Sequence, residues 1–147
     1  FLSPERMGEI LEEHQFDYVL DCIDSVSPKL ALIKASRRRK IKLVSSMGAG
    51  GKTDPSKILV RDLSKTNNCY LAKQIRKRLK KEGITKGFRC VFSTEIQKEE
   101  SLKLTDGSNF KKSFYGTISF MPALFGLNAA AEVINYLLKE PSKKNQE

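Results

Sequence analysis

Four short apolar runs alternate with segments of helical periodicity, and this alternation limits the fold of the chain more than any other feature. The runs are "DYVLDCID" (17–24), "IKLVSSM" (41–47), "ILVRDL" (58–63) and "RCVFSTE" (89–95). Each has strand length, and the near-continuous apolar stretch 18–22 suits a strand covered on both faces. Helical segments precede and separate them. Ser3 and Pro4 give a cap and a first-turn proline, followed by Met7, Ile10 and Leu11 at helical spacing. Ser27 and Pro28 repeat the signal, which predicts a helix over 28–40 closing on a basic last turn. Residues 67–83 predict a third, capped by Asn67 or Asn68, stopped by Gly83, with Leu71, Ile75 and Leu79 as its apolar stripe. Strands alternating with helices predict an α/β fold with a largely parallel sheet and flanking helices.

In such sheets ligands sit outside the carboxyl ends of the strands. Asp21 and Asp24, the loop from Gly48, Asp62, and the segment 93–95 all follow strand ends. They are expected to share one rim. Residues 96–114 are polar and predict a mobile insertion. The apolar segment 118–138 has the length of a membrane span, but Pro122, Gly126, Asn128, Glu132 and Asn135 interrupt it. The expectation is a buried helix and no membrane partner.

The net charge of +10 on 147 residues exceeds what solubility needs. It fits a polyanionic partner or a phosphate-rich substrate, or else a solvated basic surface. One histidine, His14, excludes a histidine-based triad or multi-histidine metal site within the chain. Three scattered cysteines without C-x-x-C argue against a disulfide framework and against a cysteine zinc site, and a reducing cytoplasm suits them. Cys22 and Cys90 are expected as buried strand residues, and Cys69 near a helix start as the one whose pKa is open to lowering. The opening "FLSPERMGEI" has neither a basic n-region nor a cleavage site of signal-peptide type, and it reads as a cut point in a longer polypeptide.

Three features invite chemistry. Asp24, followed by Ser25 and Ser27, either ligates Mg²⁺ with nucleotide phosphates or supports a helix cap. In "SSMGAGGKTDP" the glycines at 48, 50 and 51 let backbone amides approach an anion, or form a plain connecting loop. On the helix 67–83, Lys73, Arg76, Lys77 and Lys80 put much of the charge on one side, which suits a nucleic-acid backbone or merely a solvated face.

The order of "DYVLDCIDSVSPKLALI", "IKLVSSMGAGGKTDPSKILVRDLSKT", "LAKQIRKRL", "VFSTE" and "GTISFMPALFGLNAAAEVI" resembles the tRNA threonylcarbamoyladenosine dehydratases of the ThiF/MoeB superfamily. The resemblance covers nearly the whole chain. It implies a Rossmann-like ThiF/MoeB-type fold, with 1–140 as the C-terminal portion of an adenylating domain and 141–147 as a polar tail. It implies ATP-dependent activation and dehydrative cyclisation of threonylcarbamoyladenosine in tRNA, with ATP, Mg²⁺ and a monovalent cation as cofactors and no zinc. As partners it implies tRNA, a second copy in a homodimer, and a cysteine desulfurase system.

The resemblance assigns Asp24 as the catalytic and metal-side carboxylate, with Ser25 beside it at ATP. It makes Gly48, Gly50, Gly51, Asp54, Lys65, Thr66, Ser93 and Glu95 substrate- or cation-proximal, and Lys73, Arg76, Lys77 and Lys80 tRNA-backbone contacts. Asp21 becomes a strand-end support. The chain departs from the family in lacking a G-x-G-x-x-G phosphate loop and the paired C-x-x-C motifs of the MoeB and ThiF branches. The phosphate loop is expected N-terminal to this chain, which then carries half a site. The alternatives are an adenylating enzyme for a ubiquitin-like sulfur carrier and a non-catalytic basic tRNA-binding module.

Overall fold

The computed structural model describes residues 3–97, 102–104 and 113–139. Ser3 accepts a hydrogen bond from the Arg6 N–H at 3.2 Å, so helix α1 (Pro4–Glu13) starts where its cap and proline predict. There follow β1 (Tyr18–Asp21), α2 (Val26–Arg38), β2 (Lys42–Ser46) and, after a 3-10 turn at Pro55–Lys57, β3 (Ile58–Asp62). A second 3-10 turn (Leu63–Lys65) leads to α3 (Tyr70–Lys80) and β4 (Arg89–Ser93). Strands β5 (Leu102–Leu104) and β6 (Ser113–Tyr115) form a separate antiparallel ribbon before α4 (Phe120–Lys139). That ribbon occupies part of the predicted mobile insertion. The rest of it, 98–101 and 105–112, and the polar tail 141–147 lie outside the described residues.

The main sheet has the order β1-β2-β4-β3. Strands β1, β2 and β4 run parallel, with Asp21 opposite Ser45 and Ser45 opposite Cys90. Strand β3 runs antiparallel to β4, pairing Ile58 with Ser93 and Asp62 with Arg89. Its reversal follows from its connection. The segment between β2 and β3 contains only a loop and a short turn and no helix to carry the chain back across the sheet, so β3 starts at the end where β2 finished, and β4 later fills the place between them.

Both faces of the sheet are covered because its strands alternate. Leu43, Cys90 and Phe92 face α2 and α3, where Leu30, Ile33, Ile75 and Leu79 complete one core. Val44 and Val91 face the other way, onto Met121, Phe125 and Ala129 of α4.

Four local expectations need correction. Helix α2 begins at Val26 with Ser25 as N-cap, so Ser27 and Pro28 lie inside the first turn. A proline is tolerated there because those N–H groups have no intrahelical acceptor. Helix α3 is capped at Cys69 rather than by Asn67 or Asn68. Asn68 takes a φ of 45° and gives its amide to the Thr94 carbonyl at 2.8 Å. At the other end Gly83, at φ 73°, does stop the helix, and the Ile84 N–H returns to the Leu79 carbonyl at 3.0 Å.

Helix α4 is not a buried helix. It is long and apolar enough to cross a membrane by length and composition, yet Met121, Phe125 and Ala129 pack on the sheet while Leu127, Ile134 and Leu138 face outward. Among the cysteines, Cys22 is exposed, because β1 ends one residue before it, whereas Cys69 and Cys90 are buried.

Candidate functional site

The rim is built from the ends of β1, β2 and β4. Strand β1 ends on Asp21, whose carboxylate is fully buried. Its Oδ1 accepts the Ile23 N–H at 2.9 Å, and its Oδ2 accepts the Lys29 ammonium at 2.8 Å and the Ser45 hydroxyl at 2.6 Å. Lys29 is equally buried, so this is an ion pair within the protein whose charges have been removed from water. The pair fixes the turn between β1 and α2. That turn carries Asp24 out to the exposed rim just before the α2 N-terminus, where backbone N–H groups favour anions. Ser25 stands at the N-cap with no side-chain capping bond.

The glycine loop follows β2. The Met47 N–H reaches the Val91 carbonyl at 2.8 Å, so the loop leaves directly from the sheet. Gly51 has a φ of 68°, and its N–H binds the Gly116 carbonyl at 2.8 Å. A Cβ at Gly50 would lie 2.9 Å from the Tyr115 Cβ, so position 50 has no room for a side chain. Two side chains then hold the loop in place. The Lys52 ammonium, almost fully buried, donates to the Asn68 carbonyl at 2.9 Å and to the Glu95 carbonyl. The Glu95 carboxylate accepts the N–H groups of Thr53 and Asp54 at 2.8 and 2.9 Å and the Thr53 hydroxyl at 3.1 Å. Ser93, fully buried, accepts the Glu95 N–H at 3.1 Å. Asp54 caps the following turn through the Ser56 N–H at 3.0 Å.

These contacts tune the charges. Burial pushes the Lys52 ammonium below its ordinary pKa. Burial acts to raise Glu95, but the N–H groups of Asp54 and Thr53 and the Thr53 hydroxyl outweigh it and hold the carboxyl below its ordinary pKa. A carboxylate with a lowered native pKa stabilises its surroundings above its unfolded pKa, and that stability is lost as pH falls through the native value. Acidification below about pH 4.5 is therefore expected to loosen the loop and speed amide hydrogen exchange at Thr53 and Asp54. The Glu95→Gln variant, already lacking the charge, should show no such pH step there.

The structure does not bring every predicted residue to this rim. Asp62 ends the reversed strand, so it lies at the opposite end, beside Arg89, and accepts the Gly87 N–H at 2.8 Å. Thr66 is buried and accepts Arg76 at its carbonyl at 2.7 Å, while Lys65 is exposed at the close of the second 3-10 turn. Arg76 is thus partly committed to the fold, whereas Lys73, Lys77 and Lys80 are exposed along α3. An apolar cleft between α1 and α2, lined by Met7, Ile10, Leu11, Ile23 and Leu32, offers no polar group to a nucleotide.

Among the described residues no cluster of three or more His, Cys, Asp and Glu forms a metal cage. The donor set instead suits Mg²⁺ held by one carboxylate, Asp24, with the remaining positions left to phosphates and water. Sequence reasoning missed Lys29 and Lys52. Lys29 looked like one more helix lysine, and Lys52 like a solvated loop cation. The available signal for Lys29 was its place five residues after Asp24, directly before the apolar run 30–33.

A carboxylate and a clamped glycine loop at the carboxyl rim of a largely parallel α/β sheet stand where such sheets bind their ligands. The chain belongs to the ThiF family, whose pattern matches residues 1–147. It is 36% identical to the tRNA threonylcarbamoyladenosine dehydratase of Bacillus subtilis, over 92% of this chain and 56% of that protein. With the protein of that name from Escherichia coli it is 46% identical over 65% of this chain and 38% of the relative. A solved structure of the E. coli dehydratase TcdA in complex with AMP superposes with a TM-score of 0.78 at 36% identity, covering 94% of this chain and 54% of that one. The same enzyme in complex with ATP gives 0.75 at 35% identity, covering 96% and 57%. The chain spans about half the length of the curated relatives it matches, 56% of the B. subtilis protein.

Proposed function

We propose that this chain supplies the Asp24 half of an ATP-dependent tRNA threonylcarbamoyladenosine dehydratase. The observation that carries the reading is the presentation of Asp24 and the Glu95-clamped glycine loop on one rim of a ThiF-family sheet. A carboxylate is a poor electrophile until a good leaving group is attached to it. In the proposed reaction the substrate carboxylate attacks the α-phosphorus of ATP and pyrophosphate leaves. An internal nucleophile of the substrate then closes the ring and expels AMP, which carries away the oxygen formally lost as water. Such chemistry requires positioning and charge neutralisation, and no protein nucleophile.

In this reading Asp24 holds Mg²⁺, which neutralises phosphate charge when bound. Gly48, Gly50, Gly51 and Asp54 line the substrate side, with Lys52 and Glu95 fixing their shape. Thr66 and Ser93, both buried, act as supports rather than contacts, whereas Lys65 is exposed. A monovalent cation would meet carbonyl oxygens of the same loop. The phosphate-gripping loop lies in sequence beyond this chain. Three free cysteines suit a cytoplasmic site of action. The outward apolar face of α4 supports burial against a second copy or against the remaining polypeptide.

The test is turnover. The intact protein, given ATP, Mg²⁺ and tRNA bearing threonylcarbamoyladenosine, should yield the cyclic nucleoside and one AMP per ring closed, read by mass spectrometry of digested tRNA. ATP–pyrophosphate exchange that ignores tRNA and requires a small protein ending in Gly-Gly would overturn the assignment in favour of a sulfur-carrier activity.

A further inference from the structure

Helix α3 packs through Ala72, Ile75 and Leu79 and contains no acidic residue. Turned away from that buried side, at about 100° per residue, stand Tyr70, Lys73, Lys77 and Lys81. All four are exposed, and Tyr70 is 64% exposed although it is a large aromatic. Tyr70 begins α3 two residues after Asn68, whose carbonyl takes the Lys52 ammonium and whose amide binds Thr94. The aromatic ring therefore stands at the site rim, and the lysines lead away from it about 6 Å apart along the helix axis. At the far end α2 adds to the charge. The Arg37 guanidinium donates to the Lys86 carbonyl at 3.0 Å, which brings exposed Arg38, Lys40 and Lys86 beside the α3 C-terminus. The nearby acid Glu82 is already paired with Lys34 at 3.0 Å.

We propose that this face docks an RNA hairpin in a fixed direction, with Tyr70 stacking on an unpaired loop base at the rim. Lys73, Lys77 and Lys81, continuing to Arg38, Lys40 and Lys86, grip the backbone of the stem. The inference rests on the tRNA reading above and deepens it. Net positive charge alone would bind any polyanion. An exposed tyrosine at the head of the track is useful only to a base free of its own stack, because aromatic side chains read splayed loop bases and not A-form grooves. A membrane surface is disfavoured because the apolar side of α3 is spent in the core, leaving nothing to insert.

The experiment measures binding of the intact protein to a labelled RNA stem-loop, to a blunt RNA duplex of equal length and to anionic vesicles, without ATP. Tyr70→Ala should weaken stem-loop binding roughly tenfold and leave duplex binding unchanged, and Tyr70→Phe should bind as wild type. The double variant Lys77→Glu/Lys81→Glu should weaken both RNAs and flatten the salt dependence of log K by about one to two. The proposal is overturned if Tyr70→Ala binds the stem-loop as wild type does, or loses as much on the duplex. Tighter wild-type binding to vesicles than to either RNA also overturns it. No turnover is needed, so failure here leaves the dehydratase reading to its own assay.

Discussion

Replacing Asp24 with alanine is expected to lower ATP-dependent turnover of the intact protein by at least roughly a hundredfold, with the thermal midpoint unchanged. The two halves of this expectation have separate causes. Asp24 is exposed at the rim, and the turn that carries it is anchored through Asp21, not through its own burial. The structural cost of the change is therefore small. The chemical cost is large on the proposed reading, in which the Asp24 carboxylate is the group that meets Mg²⁺ beside the nucleotide phosphates, while the Glu95 carboxylate on the same rim is taken up by the loop's own N–H groups. Asp24→Asn sharpens the test. It keeps shape and hydrogen-bonding reach but removes the charge, and it should fail nearly as badly, with a higher Mg²⁺ concentration needed for half-maximal rate. Turnover within a few-fold of wild type in either variant would remove Asp24 from the catalytic role.

The largest expected effect on stability lies at the buried ion pair that anchors the same turn, five residues further on in α2. Lys29→Met should destabilise the fold by about 3–5 kcal/mol, measured by denaturant unfolding. Both charges of the pair are wholly buried, and deleting the ammonium leaves the Asp21 carboxylate facing only the Ser45 hydroxyl and the Ile23 N–H. The double variant Asp21→Asn/Lys29→Met removes both charges and should recover much of the loss, since a buried pair contributes little net stability over neutral groups of similar volume. A single-variant cost under about 1 kcal/mol would mean that water reaches the pair. The prediction also separates the two aspartates of the opening motif. Asp21 serves the fold, and Asp24 serves the proposed chemistry.

That separation was only partly visible in the sequence. The four strands were legible because short apolar runs bounded by turns have few other uses. Helix α1 was legible because Ser3 and Pro4 act locally. The start of α2 was misplaced by two residues, since a proline in the first turn marks a helix start without saying which position it holds. The direction of β3 is a different kind of miss. The absence of a helix between β2 and β3 was in plain view, and it should have indicated a reversed strand and removed Asp62 from the rim. That Asp24, the glycine loop and Glu95 share one rim was legible because each follows the end of a strand. Lys29 and Lys52 were not, because their importance lies in burial, and only the packed fold removes an ammonium from water.

The strand order also has a bearing on how the chain acquires its shape. Strand β3 pairs with β4 and β2 pairs with β4, so the last of the main sheet's four strands to be made lies between two made earlier. When the chain emerges N-terminus first, β1, α2 and β2 can close into a unit with short connections. Strand β3 must wait, with its backbone donors and acceptors unpaired, until Ser93 has left the ribosome. Closing that gap late costs loop entropy before any contact repays it, which makes insertion of β4 the natural slow step. An agent that engaged nascent β3 before β4 arrived would trap the sheet half built, with Arg61 and Asp62 at its far end the only charges along the strand to discourage such a pairing.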